Sequence, residues 1–197
     1  MNVNVPRRRA LLAGSSLAAL ALLGCGRESS SQGDSRAASV PVSVEAIDQQ
    51  ARGFSLGSAM AARVVYVFFD PQCPHCAALW EAVQPLRARA RFVWIPVALL
   101  NDKSAPQGAT LLAAADPVEA MDRHEASLRS QQGGITASGV TDELKAAIQR
   151  NTRLMDSFGF ASVPTAVGKH AVTGELVTLE GSAPTEVVAQ RFGLATG

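Results

Sequence analysis

The apolar residues of this chain follow two different periods, which together predict a mixed α/β fold. Residues 64–69 form an uninterrupted apolar run, which is typical of a strand buried on both faces. A second strand-like run covers residues 92–97, where Pro96 suggests an edge strand or a bend. Between the runs, apolar residues recur at helical spacing, at Leu79, Trp80, Val83 and Leu86. These segments predict a β-α-β unit with Trp80 in its core.

The second half of the chain is predicted to add helices, then two strands and a last helix. Asp116 and Thr141 are expected to start helices, because short polar side chains cap free backbone N–H groups. Glycines at 133–134 and 159 are expected to end them. The predicted segments are helices over residues 107–115, 117–132 and 142–158, strands over 163–167 and 176–179, and an amphipathic helix over 182–192 with Val187, Val188 and Phe192 on its apolar face.

The region before residue 59 lacks sustained periodicity. Residues 26 to 43 are rich in Ser, Gly, Arg, Glu and Asp, a composition that favours a flexible tether. Residues 40–54 could form a strand and a short helix at most. We therefore predict a tether over residues 26–58 and the folded domain over 59–197. A chain of this size can bury roughly 70% of the surface that it exposes when unfolded.

The first 25 residues predict export. Arginines at 7–9 precede an apolar stretch over 10–23, which is shorter than the roughly 20 residues that span a bilayer. The sequence that ends at Cys25 resembles a bacterial lipobox, which would make Cys25 the lipidated first residue of the mature protein. An ordinary cleaved signal with an incidental cysteine is the alternative. Arginines 8–9 with the following apolar residues also resemble a twin-arginine signal. Either route predicts a periplasmic protein, anchored if Cys25 is lipidated.

Composition narrows the classes of partner. The formal net charge is +1 at pH 7, and residues after the signal form no basic stripe, so the sequence offers no electrostatic footprint for nucleic acid. With Cys25 set aside, two of the three cysteines remain in the predicted domain. Partners are expected to be proteins or small thiols.

Those two cysteines stand between a strand and a helix. Asp70 and Pro71 end the first strand, and Pro74 suits the first helical position, where its missing N–H costs nothing. Cys73 is thus predicted at a helix N-terminus, where free N–H groups and the helix dipole lower a thiol pKa from about 8.5 to roughly 3.5–7.5. A protonated His75 would add a second attraction. This placement is typical of a redox pair.

Cys76 lies one helical turn further on, so the two sulfurs can meet. A static disulfide would close too small a loop to add much stability, structural zinc needs four ligands, and haem attachment would need histidine where Ala77 stands. A soft-metal carrier that binds Cu(I) and a non-catalytic scaffold are the other classes left open. His124 and His170 are expected at the solvated surface. Asp70 either ends the strand or accepts the proton of Cys76.

The motif also carries a family resemblance. Residues 69–76 with Trp80 resemble the catalytic segment of the bacterial thiol:disulfide interchange proteins of the DsbC/DsbG family, and residues 104–117 resemble DsbG. The resemblance implies a thioredoxin-like fold with a helical insertion between its βαβ and ββα halves. It further implies a thiol-disulfide oxidoreductase. The chain departs from the family in one respect: only some thirty residues separate Cys25 from the catalytic domain, in place of the N-terminal dimerisation domain, so we expect a monomer.

Site roles follow from that resemblance. Cys73 would attack a substrate disulfide and Cys76 would resolve the mixed disulfide, with no cofactor beyond the Cys73–Cys76 disulfide. Pro164 matches the family's cis-proline, beside which the backbone of Val163 would bind substrate. Pro74, His75 and Val163 are the choices of DsbA, the oxidant of the same system, so the direction of electron flow stays open. Expected partners are cysteine-containing envelope proteins and a membrane redox protein.

Overall fold

A five-stranded mixed sheet lies at the centre of the fold. The computed structural model describes residues 39–194; the predicted export signal and Cys25 lie outside this range. The strand order is β1-β3-β2-β4-β5. The elements, in chain order, are α1 (Val44–Gln50), β1 (Phe54–Leu56), β2 (Val64–Phe69), α2 (Pro74–Val83), β3 (Arg91–Pro96), α3 (Ser104–Ala113), α4 (Pro117–Arg129), α5 (Asp142–Ser157), β4 (Thr165–Lys169), β5 (Leu176–Glu180) and α6 (Thr185–Phe192).

The central strand β2 is buried on both faces, as its apolar run predicts. It pairs in parallel with β3 and antiparallel with β4. Side chains alternate along a strand, so Val65, Val67 and Phe69 pack with α2 and α6 on one face. Tyr66 and Phe68 pack with α1 and α5 on the other. The thioredoxin-like arrangement predicted from the element order is confirmed.

Helix α2 follows the predicted pattern. It starts at Pro74 with Cys73 as its N-cap, and Leu79, Trp80 and Val83 are buried. The indole N–H of Trp80 donates to Asp122 Oδ1 over 2.8 Å, which satisfies its polar atom. Trp80 is therefore a core residue, as expected.

The predicted helical insertion consists of α3, α4 and α5. Asp116 and Thr141 cap α4 and α5, and their side chains accept hydrogen bonds from backbone N–H groups three residues on. Helix α3 starts at Ser104 rather than at residue 107, and α4 ends at Arg129 rather than at residue 132. The insertion lies between β3 and β4, with α4 at the face that carries α2.

The predicted extent of the tether and the predicted start of the folded domain were both wrong. Residues 44–56 are not tether: Ile47 of α1 is completely buried, and β1 pairs antiparallel with β3, with Phe54 opposite Trp94. The folded unit therefore starts before residue 59. Because β1 covers it, β3 is an inner strand, and Pro96 is tolerated as its last residue.

The last helix buries two of the three apolar residues predicted to face inward. Val188 and Phe192 are buried together with Ala189, whereas Val187 is 40% exposed. Residues 188, 189 and 192 share one side of a helix, and that side packs under β4 and against α2. Across residues 39–194, each helix is too short or too polar to cross a membrane.

Candidate active site: a dithiol at the start of helix α2

The two cysteines meet in the first turn of α2. Both are free thiols, with Cys73 5% exposed and Cys76 completely buried. The turn that follows β2 is closed by the N–H of Cys73, which donates to the carbonyl oxygen of Asp70 over 3.0 Å. Pro74 and His75 are exposed at the helix start. The local signals of the sequence therefore place the dithiol where a helix N-terminus meets the end of the central strand.

Cys73 carries the anionic sulfur. A hydrogen bond from the Cys76 thiol, the N–H groups of Cys76 and His75, and the charge of His75 together lower the pKa of Cys73 to about 6, against the opposing effect of burial. At neutral pH most of this sulfur is therefore thiolate, which is the nucleophilic form.

Cys76 behaves in the opposite way. Burial, the hydrogen bond to Cys73 and the charge of the Cys73 thiolate all raise the pKa of Cys76. It therefore keeps its proton while Cys73 is ionised. The pair is asymmetric: one sulfur is ready to attack, and the other is a protonated partner behind it.

The loop before β4 forms one wall of the site. The Val163–Pro164 peptide bond is cis, in agreement with the form implied by the family resemblance. The Cys73 Sγ atom lies 3.4 Å from the carbonyl oxygen of Val163, to which its thiol form donates. The structure thus brings the Val163–Pro164 segment next to Cys73, as the family resemblance implies.

Asp70 anchors the loops around the dithiol. Its buried carboxylate accepts hydrogen bonds from the N–H of Gln72 (2.8 Å) and the hydroxyl of Ser104 (2.7 Å). It also accepts from the N–H groups of Leu99 (2.7 Å) and Leu100 (3.0 Å). A carboxylate has about four lone-pair sites. These bonds engage all of them, so the geometry favours the anchoring role over that of a proton acceptor for Cys76.

His124 is buried, not solvated as the sequence analysis expected. Its Nε2 atom lies 2.6 Å from the carbonyl oxygen of Pro71, and its Nδ1 atom accepts from the N–H of Ile135 over 3.1 Å. A carbonyl oxygen can only accept, so the proton of the neutral ring is on Nε2. The polar appearance of α4 misled the prediction, because Ala120 and Met121 turn the His124 face inward. His170, by contrast, is half-buried in the β4–β5 turn.

Acid is expected to weaken the fold through His124. Burial lowers the pKa of His124, so the unfolded chain takes up a proton near its usual value of about 6.5 before the folded chain does. The contribution of neutral His124 to stability is therefore complete above that pH and is lost as pH falls below it, by at most about 1.4 kcal/mol per pH unit. Urea unfolding of the wild type and His124→Gln at pH 7 and pH 5 measures this, since glutamine can form both hydrogen bonds but does not titrate.

The control variant is His170→Gln, which removes a histidine far from this contact. It should keep the wild-type change in stability between pH 7 and pH 5, whereas His124→Gln should lack the destabilising part of that change. An equal loss in His124→Gln would show that the acid effect comes from other groups.

Comparison with known proteins agrees with this geometry. The family model described as "Thioredoxin" matches residues 49–158. The thiol:disulfide interchange protein DsbG of Pseudomonas aeruginosa is 30% identical over 151 residues, which cover 74% of this chain and 57% of that protein. DsbG of Escherichia coli is 30% identical over 106 residues, covering 53% and 42%. This chain thus spans only about half the length of these relatives.

A solved structure supports the fold assignment. The catalytic domain of Proteus mirabilis ScsC superposes with a TM-score of 0.57 over 76% of this chain and 96% of that one, at 17% identity. At this identity the likeness concerns the fold alone. The sequence match, however, covers more than half of the chain, from the helix before β1 to the end of α5. The chain belongs to the thioredoxin family.

Proposed function

We propose that the protein is an exported thiol-disulfide oxidoreductase that exchanges disulfides with cysteines of envelope proteins through Cys73 and Cys76. One observation carries this proposal: a sulfur with its pKa lowered to about 6 lies at a helix N-terminus, against a buried second thiol. Such a pair suits exchange chemistry, in which a thiolate attacks a disulfide and a second thiol resolves the product. The name shared by the DsbG relatives, thiol:disulfide interchange protein, supports it.

The proposed cycle uses the asymmetry of the pair. In the reducing direction the Cys73 thiolate attacks one sulfur of a substrate disulfide, and the other substrate sulfur leaves as thiolate. Cys76 then loses its proton and attacks Cys73 Sγ, which forms the Cys73–Cys76 disulfide and releases the second substrate thiolate. The oxidising direction is the reverse. The redox-active disulfide is the only redox group that this cycle requires.

Neighbouring residues have supporting roles in this proposal. Pro74 occupies the first position of the helix, where a backbone N–H would have no partner within the helix. The charge of His75 favours the thiolate form of Cys73. The carbonyl group of Val163, held beside Pro164, lies close enough to Cys73 to bind the backbone of an extended substrate segment. Substrates would thus dock as short strands across the sulfur.

Compartment and partners complete the proposal. Arginines 7–9 and the apolar stretch after them support export to the periplasm, and the sequence ending at Cys25 supports a lipid anchor there. An oxidising compartment is where protein disulfides form and need exchange. We propose monomers that act on envelope proteins and exchange electrons with a membrane redox protein.

The reduction potential tests this function. Stabilising the Cys73 thiolate favours the reduced form over the disulfide, so we expect the pair to be more oxidising than thioredoxin, whose potential is about −270 mV. The purified protein is equilibrated with glutathione buffers, and the oxidised fraction is read by mass after thiol alkylation. A potential at or below that of thioredoxin would reverse the expected direction. A pair that never equilibrates would overturn the enzyme proposal.

A further inference from the structure

The carboxyl group of Glu125 is buried near the dithiol. Glu125 lies on the inward side of α4, one residue after His124, and is 1% exposed. Within residues 39–194, neither of its carboxylate oxygens has a hydrogen-bond partner. A buried, unpartnered carboxylate is costly in its charged form, whereas a protonated carboxyl is much cheaper. The surroundings of Glu125 therefore favour a proton on it.

The charged groups near Glu125 come from two helices. Cys73 and Glu81 of α2 oppose its negative charge, and Arg129 of its own helix favours it. Arg129 is largely at the surface, where it forms an ion pair with Glu81. Apart from α2, the elements that pack most extensively against α4 are α3 and β1, whose sequences SAPQGATLLA and FSL contain no side chain that ionises near neutral pH.

The net effect of these influences favours the protonated form of Glu125. Burial raises the pKa of Glu125 to about 8, Arg129 opposes this, and the charges of Cys73 and Glu81 add to it. Glu125 is thus protonated at neutral pH while Cys73 is a thiolate. When Cys73 and Glu125 lie near each other, a state with one negative charge on the pair is more stable than a state in which both are ionised.

We propose that Glu125 is a positioning residue that couples the redox state of the dithiol to a proton: it gains a proton when the Cys73–Cys76 disulfide opens and releases it when the disulfide closes. The inference rests on the proposed exchange function, because it needs a thiolate that appears and disappears at Cys73. Glu125 acts through the charge of Cys73.

The proton balance of the step follows from the two sulfurs. A substrate dithiol supplies two electrons and two protons when it reduces the disulfide. Cys73 leaves as thiolate and takes no proton, and Cys76 becomes a thiol and takes one. Glu125 has a lower pKa in the oxidised protein than in the reduced protein. At a pH between these two values, Glu125 takes up the second proton. Without Glu125 that proton would go to solvent.

A neutral isostere tests the coupling. In Glu125→Gln the side chain keeps its shape and cannot ionise, so the wild type and the variant should have the same glutathione equilibrium near pH 6, where Glu125 is protonated in both redox states. Above pH 8 ionised Glu125 repels the Cys73 thiolate in the wild type only. The variant should then be easier to reduce, by up to about tenfold in the equilibrium constant for one unit of coupled pKa.

The matched control is Glu119→Gln, which removes an exposed carboxylate from the same helix. Its equilibrium with glutathione should follow the wild type at every pH. A second measurement needs no variant: the side-chain carboxyl ¹³C shift of Glu125 is titrated in the oxidised and the reduced wild-type protein. Its midpoint should be lower in the oxidised protein, which has no thiolate at Cys73.

The outcomes separate this inference from the function it rests on. Coincident pH profiles for wild type and Glu125→Gln at every pH, or the same Glu125 midpoint in both redox states, would overturn the coupling while leaving exchange intact. If no version of the protein equilibrates with glutathione, the exchange function fails and the coupling fails with it. A divergence that develops as pH rises towards 8 and stays constant at higher pH, with a redox-dependent midpoint, supports the coupling.

Discussion

Replacing Cys73 by serine is expected to abolish disulfide exchange. A serine hydroxyl is not ionised at neutral pH and cannot form the disulfide that accepts the electron pair. The surroundings that lower the pKa of Cys73 therefore cannot produce a nucleophile at this position. The loss should be about three orders of magnitude or more, as for removal of other catalytic nucleophiles. Turnover of a fluorescent disulfide peptide with glutathione as reductant measures it.

Cys76→Ser is the informative partner variant. Cys73 remains able to attack, and a serine hydroxyl can still donate a hydrogen bond to its sulfur, so the first step should survive. Resolution cannot occur, and the protein should accumulate as a mixed disulfide with its substrate, detectable by mass. Recovery of these adducts from the periplasm would also identify the envelope substrates.

Other outcomes would favour the competing classes of protein. If Cys73→Ser kept its cellular role, the chain would be a scaffold that uses the fold without the chemistry. If Cys73→Ser and Cys76→Ser both lost Cu(I) binding, and the wild type showed no exchange, a soft-metal carrier would be the better interpretation. Adducts in Cys73→Ser but not in Cys76→Ser would reverse the assigned roles of the two sulfurs.

The position of the dithiol could be predicted because all its signals are local. The run over Val64–Phe69, the stop at Asp70 and the proline at the first position of α2 lie within a few residues of Cys73. Strand, turn and helix start then follow from β propensity, turn chemistry and capping. The same holds for α4 and α5, whose caps Asp116 and Thr141 lie directly before the helices.

The early part of the fold could not be predicted in this way. Strand β1 is only three residues long, and it exists because Phe54 and its neighbours pair with β3, about forty residues away. Likewise Ile47 is buried by contacts with the sheet face that α5 also covers. Short strands and helices of this kind depend on tertiary packing more than on their own sequence.

The inward face of α4 is the instructive error. His124 and Glu125 look like solvated residues in a polar helix, yet both are buried, and His124 contacts the loop before α2. A signal was available: Ala120 and Met121 lie one turn earlier on the same side, and residues four apart share a helix face. The role of Gln107 was not predicted either: its side chain holds the loop after α4 by donating to the carbonyl oxygens of Gly133 and Ile135.

Replacing Asp70 by alanine is expected to destabilise the protein by about 3–5 kcal/mol, since four donors lose their acceptor and each unsatisfied buried donor costs about 1–3 kcal/mol, less where water can reach it. Such a loss is a large part of the roughly 5–15 kcal/mol that holds a domain folded. Urea unfolding at pH 7, followed by tryptophan fluorescence, measures it.

A graded series separates the hydrogen bonds from the charge. Asp70→Asn keeps one acceptor oxygen and should lose about half as much stability, and Ser104→Ala removes only one donor and should cost about 1 kcal/mol. Asp102→Asn, an exposed carboxylate near the same loop, should stay within about 0.5 kcal/mol of wild type. Equal, small losses in Asp70→Ala and Asp102→Asn would show that water replaces the carboxylate, and that the loops beside Cys73 are held by packing instead.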